Sequence, residues 1–491
     1  MSVTVGRKEW MWHTGRMRRS NVSRWRRYNQ EVRETDKLAV FSPESLGSHS
    51  VQLEDLTMAV MNHQAEELNG ILQANNPVVY ELLSKKGKAI YFPRKGILAQ
   101  GAAARDKEIN ATIGTAYEDD GKPMVLHSIA RGFDLDPKNA FPYAPSEGIK
   151  PLRDKWLELI RTKNPSLHNT EISVPVVTCG VTNGLSIVGY MFVEEGDEVI
   201  IADLYWENYD LVYTNAYGSD FRFFNFFKDG LFDVNSFRKT INTGRPGKRV
   251  VLLNFPNNPS GYTPTKAAGR EIVGVLGEAA QAGNKLVVLL DDSYFGLGFE
   301  EDLLTESLFA ELANCHENLL AVKLDGLTKE EFSWGLRVGF VTYGIKNGSK
   351  ALYKALEDKT AGAVRGNISN ASHPAQSIFL NALKSGEHEE EKECSKRVIK
   401  ERYLKVKEVL DAHAEYGKYF EALPFNSGYF MCVRLKGLDP DKVWEVLLNK
   451  YSTGVVCISE KNMFRIAFAS TPTDKIDKLF GNIYAACRDC A

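Results

Sequence analysis

Six short, largely apolar runs recur along the middle of the chain, and most neighbouring runs are separated by a stretch long enough to hold a helix. Strands that are buried on both faces appear in sequence as continuous apolar runs, and strands that alternate with helices build parallel sheets. The pattern therefore predicts an α/β fold, with a mostly parallel sheet covered by helices on both faces. The predicted strands lie near residues 174–178, 198–202, 249–254, 286–291, 319–324 and 338–342.

The length of 491 residues indicates a smaller domain beside this sheet. We expect an α+β domain built from both ends of the chain, with strands near 429–433 and 464–468. The charged stretch 387–402 predicts a solvated helix that leads into its C-terminal part. The expected divisions are an N-terminal arm with the first part of the small domain at 61–123, the large domain at 124–398, and the rest of the small domain at 399–491.

Residues 1–60 have a different composition, and the first thirty carry eight basic residues against one acidic residue. Such a balance is similar to that of a mitochondrial transit peptide, but Trp10, Trp12 and Trp25 and the weak helical periodicity do not fit one. We expect a segment that is disordered or processed; a gene start placed too far upstream is an alternative, since Met61 would make a natural initiator.

Composition also narrows the classes of function. A net charge of −2 gives no general case for nucleic-acid binding, and no apolar run is long enough to span a bilayer. The seven cysteines favour a reducing compartment, so we expect a cytoplasmic protein, or a mitochondrial one if the basic N-terminus is a transit peptide. Cys487 and Cys490 form a lone C-x-x-C pair, and no metal site is predicted.

Candidate catalytic residues follow two of the predicted strands. Asp291 ends the apolar run 285–290, and Lys329 follows the run 319–324 after a short loop. Functional residues of open α/β sheets collect at the carboxyl ends of strands. Arg337 lies eight residues after the lysine, where the chain returns to a glycine-flanked strand. Taken singly, Asp291 could merely open a turn and Lys329 could be a surface residue.

A candidate anion site lies after the first strand. Gly180, Val181 and Thr182 lead from this strand into an apolar stretch that predicts a helix. The free N–H groups and the dipole of a helix start attract phosphate, and the hydroxyl of Thr182 could add a further donor. A helix start without a ligand is the alternative interpretation.

The order of these groups predicts a pyridoxal phosphate site. Asn258, within Asn-Pro-Ser-Gly, precedes Asp291 and Tyr294, and Lys329 and Arg337 follow. A carboxylate keeps the ring nitrogen of the cofactor protonated, so that the ring withdraws electrons. A lysine amine attaches the cofactor aldehyde and moves protons at the substrate carbon. An arginine holds the phosphate from the side opposite the amine.

From about Met61 to the C-terminus, the chain resembles the class I/II aminotransferases, which are pyridoxal-phosphate enzymes of fold type I. The resemblance implies a role for each motif residue. Asn258 and Tyr294 match the residues that contact the cofactor's phenolic oxygen, and Asp291 matches the partner of its ring nitrogen. Lys329 matches the lysine to which the cofactor is covalently attached, and Arg337 matches the arginine that binds its phosphate. Trp206 matches the aromatic residue that stacks on the cofactor ring.

Four further matches are similar to the aspartate aminotransferase branch of that family. Gly114 matches a glycine that lies over the substrate, and Arg465 matches the arginine that binds the substrate α-carboxylate. Tyr143 matches a tyrosine that reaches the phosphate of the neighbouring subunit. Arg365 matches the residue that binds a distal substrate carboxylate across the dimer interface; a surface or interface arginine is the alternative. The resemblance thus implies a homodimer with shared active sites.

The function implied is a transaminase that exchanges an amino group between an L-amino acid, aspartate or glutamate, and a 2-oxo acid by a ping-pong mechanism. An aspartate 4-decarboxylase is the alternative, because such lyases resemble this branch and also carry extended N-termini. A non-catalytic regulator that binds the cofactor is a third class. It would need an N-terminal winged-helix module, which the pattern of residues 1–60 does not predict.

Two residues depart from the family pattern. Gly326 stands three residues before the lysine, where the family usually has a serine that binds the phosphate. Asp325 beside it is an unexpected neighbour for a dianion. We therefore expect the phosphate to be held with one fewer hydroxyl, or with Thr328 in compensation.

Overall fold

A seven-stranded sheet forms the centre of the computed structural model, which describes residues 61–93 and 96–491. The expectations for residues 1–60 lie outside the described residues. All neighbouring strands are parallel except Gly339–Ile345, which runs antiparallel to both of its neighbours. The predicted α/β class with a mostly parallel sheet is confirmed. The spatial order of strands is Val176–Thr178, Gly339–Ile345, Leu319–Gly326, Lys285–Asp291, Lys248–Asn254, Glu198–Ala202 and Asp220–Phe224.

Six of these strands were predicted, with ends that differ by at most three residues from those observed. The seventh, Asp220–Phe224, is the edge strand beside Glu198–Ala202; two of its five residues are exposed and two are half-buried. A strand half open to solvent lacks the continuous apolar run that reveals a central parallel strand.

Helices cover both faces of the sheet. Alternate strand residues contribute to two separate apolar cores: Val251 and Val288 belong to one core, whereas Val250 and Leu289 belong to the other. The helix Lys266–Gln281 packs in the first core. Each fully buried aliphatic side chain in these layers stabilises the fold by about 1.5–3 kcal/mol.

Side-chain caps mark several helix starts. Thr265 Oγ1 accepts from Ala268 N, and Ser349 Oγ accepts from Leu352 N. Within the described residues, no helix has the length and apolar character to cross a membrane. The α-helices there are His63–Asn75, Pro77–Leu82, Lys85–Ala89, Ile97–Ala103, His127–Ala130, Lys150–Lys163, Gly180–Phe192, Val234–Ile241, Lys266–Gln281, Phe309–Leu312, Lys350–Ile368, His373–Lys384, His388–Ala412, Pro440–Lys450 and Ile476–Cys490.

Distant parts of the chain meet in two smaller sheets. An antiparallel four-stranded sheet has the order Phe420–Ala422, Met431–Leu435, Met463–Ile466 and Val456–Ile458. The strand Ile109–Asn110 pairs in parallel with Thr453–Gly454. Residues 61–491 form one compact unit by their contacts, and the division at 124 and 399 stays a prediction. The remaining sheet is the hairpin Phe227–Lys228 with Leu231–Phe232.

The prediction of a solvated helix at 387–402 is wrong for one side of that helix. The helix runs from His388 to Ala412, and its residues His388, Lys392 and Arg402 are buried. Arg402 Nη1 donates to the carbonyl of Ala469 at 2.6 Å. Charged residues can face the interior when buried partners satisfy them, and a sequence does not reveal such partners.

Candidate active site

Adjacent parallel strands bring the first site residues together. Asn254 and Asp291 are register partners at the carboxyl ends of their strands. Asn254 Nδ2 donates to the backbone carbonyl of Asp291 at 2.8 Å, and Asn254 Oδ1 accepts from the backbone N–H of Asn258 at 2.8 Å. Asn254 therefore fixes the start of the loop that carries Asn258.

Asp291 is buried with hydrogen bonds to both carboxylate oxygens. Its Oδ2 accepts from the hydroxyl of Tyr209 at 2.6 Å, and its Oδ1 accepts from Ser293 Oγ at 2.5 Å. Burial raises the pKa of Asp291, and the hydrogen bonds from Ser293 and Tyr209 oppose that rise. Asp292 takes no part, because it pairs with Lys323 and accepts from Ser307 Oγ.

The amine of Lys329 is partly buried and has no carboxylate partner among the described residues. Its Nζ donates to the backbone carbonyl of Gly114 at 2.6 Å and lies 5.2 Å from the ring centre of Tyr294. Burial lowers the pKa of Lys329 to about 7, and the positive charges of Arg465 and Arg337 add to the decrease. A large fraction of the amine is therefore neutral and nucleophilic near pH 7.

Gly114 lies directly against this amine. A Cβ atom at that position would come within 3.1 Å of Lys329 Nζ and 3.5 Å of the ring of Phe430. A side chain there would occupy the space beside the amine, which the glycine leaves open.

Arg465 is buried in the strand Met463–Ile466 and forms no salt bridge among the described residues. Its Nη1 donates to Asn258 Oδ1 at 3.1 Å, and its Nη2 donates to the carbonyl of Thr112 at 2.9 Å. The guanidinium lies 4.1 Å from the ring centre of Phe430. A fixed, buried cation that forms no salt bridge among the described residues suits a carboxylate ligand.

The residues of the predicted anion cradle lie together, and their role in binding an anion stays a prediction. Gly180 opens the helix Gly180–Phe192, so Val181 and Thr182 lie in its first turn. A Cβ atom on Gly180, whose φ is +75°, would come within 2.6 Å of Arg337 Nη2. The helix start and the arginine thus converge on one point, as phosphate binding requires.

Two predicted site residues, Tyr143 and Arg365, have no contact with this cluster among the described residues, whereas Trp206 reaches it through Tyr209, which donates to Asp291. Trp206 packs edge-on against Tyr209, with ring centres 5.5 Å apart. Tyr143 is 86% exposed. Arg365 is exposed near the end of the helix Lys350–Ile368 and donates to Ser369 Oγ at 3.1 Å.

The two departures from the family pattern have structural explanations. A Cβ atom at Gly326 would come within 2.6 Å of the carbonyl oxygen of Val338, so a serine does not fit without a backbone shift. Asp325 is engaged elsewhere, since it accepts from Trp156 Nε1 at 3.0 Å and lies 3.4 Å from the amine of Lys323.

Sequence reasoning missed several residues that hold the site. Tyr209 follows Trp206 by three residues, and this helical spacing was the available indication. The carbonyl of Thr112 and the ring of Phe430 gave no indication, because any residue has a carbonyl and the phenylalanine lies in an apolar run. Tyr429, whose hydroxyl donates to the carbonyl of Lys329 at 2.8 Å, was likewise missed.

Comparison with known proteins identifies the family. The family model described as aminotransferase class I and II matches residues 107–483. The chain belongs to this family. Members of the class I and II aminotransferases depend on pyridoxal phosphate, and the matched range contains the cluster of Asp291, Lys329, Arg337 and Arg465.

Individual relatives are distant. The chain is 26% identical to an aspartate aminotransferase of Geobacillus stearothermophilus over 48% of this chain and 56% of the relative. It is 28% identical to a probable aspartate/prephenate aminotransferase of Thermus aquaticus over 44% and 51%. The chain thus spans about half the length of the curated relatives it matches. An aminotransferase structure from Anaerococcus prevotii superposes with a TM-score of 0.71, at 25% identity, over 83% of this chain and 99% of that one.

The aminotransferase cofactor fits the residues present. A dianionic phosphate suits the helix start at Gly180 and the guanidinium of Arg337, which has no acidic partner among the described residues. A protonated ring nitrogen suits the buried carboxylate of Asp291, and an aldehyde suits the amine of Lys329. The donor set therefore matches pyridoxal phosphate group by group.

Proposed function

We propose that this protein is a pyridoxal-phosphate-dependent transaminase that exchanges an amino group between an L-amino acid and a 2-oxo acid in ping-pong order. The observation that carries the proposal is the setting of Lys329. The pKa of its amine is lowered to about 7, in part by the positive charges of Arg465 and Arg337. When bound, the cofactor holds the amino group between the two half-reactions and withdraws electrons from the substrate α-carbon.

The residues of the chain divide the remaining tasks. Arg337 and the first turn from Gly180 to Thr182 hold the phosphate, and Asp291 keeps the ring nitrogen protonated. Asn258 and Tyr294 contact the phenolic oxygen, and Trp206 covers the ring face. The resemblance of each residue to the family motifs and the geometry of the cluster support these roles.

Arg465 and Lys329 act on the substrate. The guanidinium of Arg465 binds the α-carboxylate, because Asn258 and Thr112 hold it in one orientation. The neutral amine of Lys329 then takes the proton from the α-carbon and later returns a proton on the same side. Phe430 stacks on Arg465 and keeps water from the guanidinium.

Aspartate and glutamate are the substrates we propose, in a homodimer with shared sites. The relatives named aspartate aminotransferase and aspartate/prephenate aminotransferase support this class. Arg365 would bind the distal carboxylate, and Tyr143 would reach the phosphate, each in the site of a second protomer. Both side chains are exposed in one protomer, which this assignment requires.

The test is the absorbance spectrum of the purified protein with pyridoxal phosphate during addition of L-aspartate, with products assayed. One equivalent of oxaloacetate per site without an oxo-acid acceptor, and continuous turnover with 2-oxoglutarate, is expected. Lys329→Ala serves as the inactive control. Continuous release of alanine would indicate the decarboxylase instead, and an unchanged spectrum with both aspartate and glutamate would refute dicarboxylic substrates.

A further inference from the structure

The segment that carries Lys329 also carries a buried carboxylate that the transamination roles above do not use. Glu331 is 1% exposed, and its Oε2 lies 2.9 Å from Nε2 of His388. Its Oε1 lies 3.6 Å from Nζ of Lys392 and 3.7 Å from Nζ of Lys163. Basic groups from two separate helices therefore surround one carboxylate.

Glu331 belongs to the same tight turn as Lys329. The backbone N–H of Phe332 donates to the carbonyl of Lys329 at 3.2 Å, which closes a four-residue turn with Glu331 in third place. The hydroxyl of Tyr429 donates to the same carbonyl at 2.8 Å. Glu331 and Lys329 thus share one turn, so an anchor on Glu331 acts two residues from Lys329.

This segment has a backbone that needs outside support. Phe332 has a φ of +46° and Arg337 a φ of +53°. Residues with side chains seldom occupy this left-handed region, and they stay there only where surrounding contacts hold them. The contacts of Glu331 with the helices Lys150–Lys163 and His388–Ala412 supply such support.

The carboxylate remains charged in this environment. Burial alone would raise the pKa of Glu331, but the charges of Lys392 and Lys163 and the hydrogen bond with His388 outweigh burial and hold the pKa well below its ordinary value. Buried ion clusters add little net stability relative to apolar side chains of the same size. A geometric role accounts better for a charged side chain at this place.

We propose that Glu331 is a positioning residue, which anchors the turn of Lys329 to the two flanking helices and so sets the location of the amine between Gly114 and Tyr294. The inference rests on the proposed function, because the amine matters as the group that meets the cofactor. A displacement of about 1 Å in a reacting group can lower a rate roughly a hundredfold.

The experiment compares Glu331→Gln with the wild-type protein and with Glu390→Gln, an exposed glutamate on the first turns of the same helix as His388. Cofactor-free protein is incubated with pyridoxal phosphate and reduced with borohydride over a range of pH, and the modified Lys329 peptide is quantified by mass spectrometry. Turnover with aspartate and 2-oxoglutarate gives kcat and KM, and thermal melting reports on folding.

For Glu331→Gln we expect slower modification of Lys329, with an apparent pKa that rises from about 7 toward the ordinary value of lysine as the amine moves into solvent. We also expect kcat to fall about tenfold or more, with little change in KM. Glu331→Asp, which keeps the charge, should recover part of both losses, and Glu390→Gln should match the wild type.

Lys392 keeps Glu389 at 2.7 Å and Glu330 at 3.8 Å in the single variant, but loses one of its carboxylate neighbours. The double variant Glu331→Gln with Lys392→Met removes both charges together and guards against unfolding from this imbalance. Wild-type modification kinetics and kcat in either folded variant, with only a lower melting temperature, would overturn the positioning role. Absence of Lys329 modification in the wild-type protein would instead refute the proposed function. The two failures are therefore distinguishable.

Discussion

The hydroxyl of Tyr209 donates a 2.6 Å hydrogen bond to Oδ2 of Asp291, and both residues are buried. The phenol of Tyr209 thus fixes one oxygen of the carboxylate that would bind the cofactor's ring nitrogen. A hydrogen bond to the charged form of an acid favours that form, which opposes the effect of burial.

Replacing Tyr209 with Phe should weaken transamination. Loss of the hydrogen bond raises the pKa of Asp291 further, so less carboxylate is available to the ring nitrogen. A hydrogen bond to a charged group is worth about 1.5–3 kcal/mol, which corresponds to a decrease in kcat of roughly ten- to a hundredfold. Steady-state kinetics checks this, with Tyr205→Phe as the control, since the hydroxyl of Tyr205 bonds to Asp210 instead. Equal kcat values in the two variants would contradict the role of Tyr209.

Modification of Lys329 should follow an unusual pH dependence. With its pKa lowered to about 7, the amine loses its proton near neutral pH, whereas a surface lysine does so near 10.5. We expect the rate of covalent labelling by an amine reagent, measured peptide by peptide, to rise through pH 7 at Lys329. Exposed Lys359 is the internal control. If the labelling rates of Lys329 and Lys359 rose in parallel with pH, the lowered pKa of Lys329 would be contradicted.

The same shift predicts that Lys329→Met stabilises the cofactor-free protein at neutral and lower pH. The folded-state pKa lies below the unfolded value of 10.5, so the unfolded chain binds more protons between pH 7 and 10.5. Stability of the wild type therefore rises with pH across that window. The difference in melting temperature between variant and wild type should shrink from pH 7 to pH 10. A difference independent of pH would argue against a buried neutral amine.

Gly180→Ala should weaken cofactor binding. The added Cβ meets Arg337 Nη2 at 2.6 Å, and the φ of +75° adds backbone strain of about 1–2 kcal/mol. The affinity for pyridoxal phosphate, measured by titration of the cofactor-free protein, should fall about tenfold or more, because the cradle and the arginine can no longer converge. Gly274→Ala, at a helical glycine with no atom within 4 Å of the new Cβ, should bind as the wild type does. An unchanged affinity of Gly180→Ala for pyridoxal phosphate would indicate that the phosphate does not bind at the helix start of Gly180.

Arg365→Gln should change substrate preference. If Arg365 binds the distal carboxylate across a dimer, its loss raises KM for aspartate and glutamate by roughly ten- to a hundredfold and leaves alanine unaffected. Lys359→Gln, at an exposed cation on the same helix, is the matched control. The measurement is the KM for each of the three amino acids. Equal changes in KM for all three would contradict the proposed role and indicate that Arg365 is a surface residue.

Six strands of the central sheet were predictable because they are largely buried and therefore largely apolar. The edge strand Asp220–Phe224 was not predictable, because it is partly exposed and lacks a continuous apolar run. The helix His388–Ala412 was predicted to be solvated, yet His388 and Lys392 are buried around Glu331. A charged residue in a sequence indicates a solvent-exposed position only when the fold offers it no buried partner of opposite charge. Here the buried partner, Glu331, is distant in sequence from the helix.

By itself, the sequence determined the order of strands and helices and the placement of Asp291 and Lys329 at strand ends, because periodicity and register are local properties. Tertiary structure alone decided that Tyr209 supports Asp291, that Arg465 forms no salt bridge with any described residue, and that Glu331 holds the turn of Lys329. Hydrogen bonds and pKa shifts depend on distances of a few ångströms between residues far apart in the chain, and only the folded packing sets those distances.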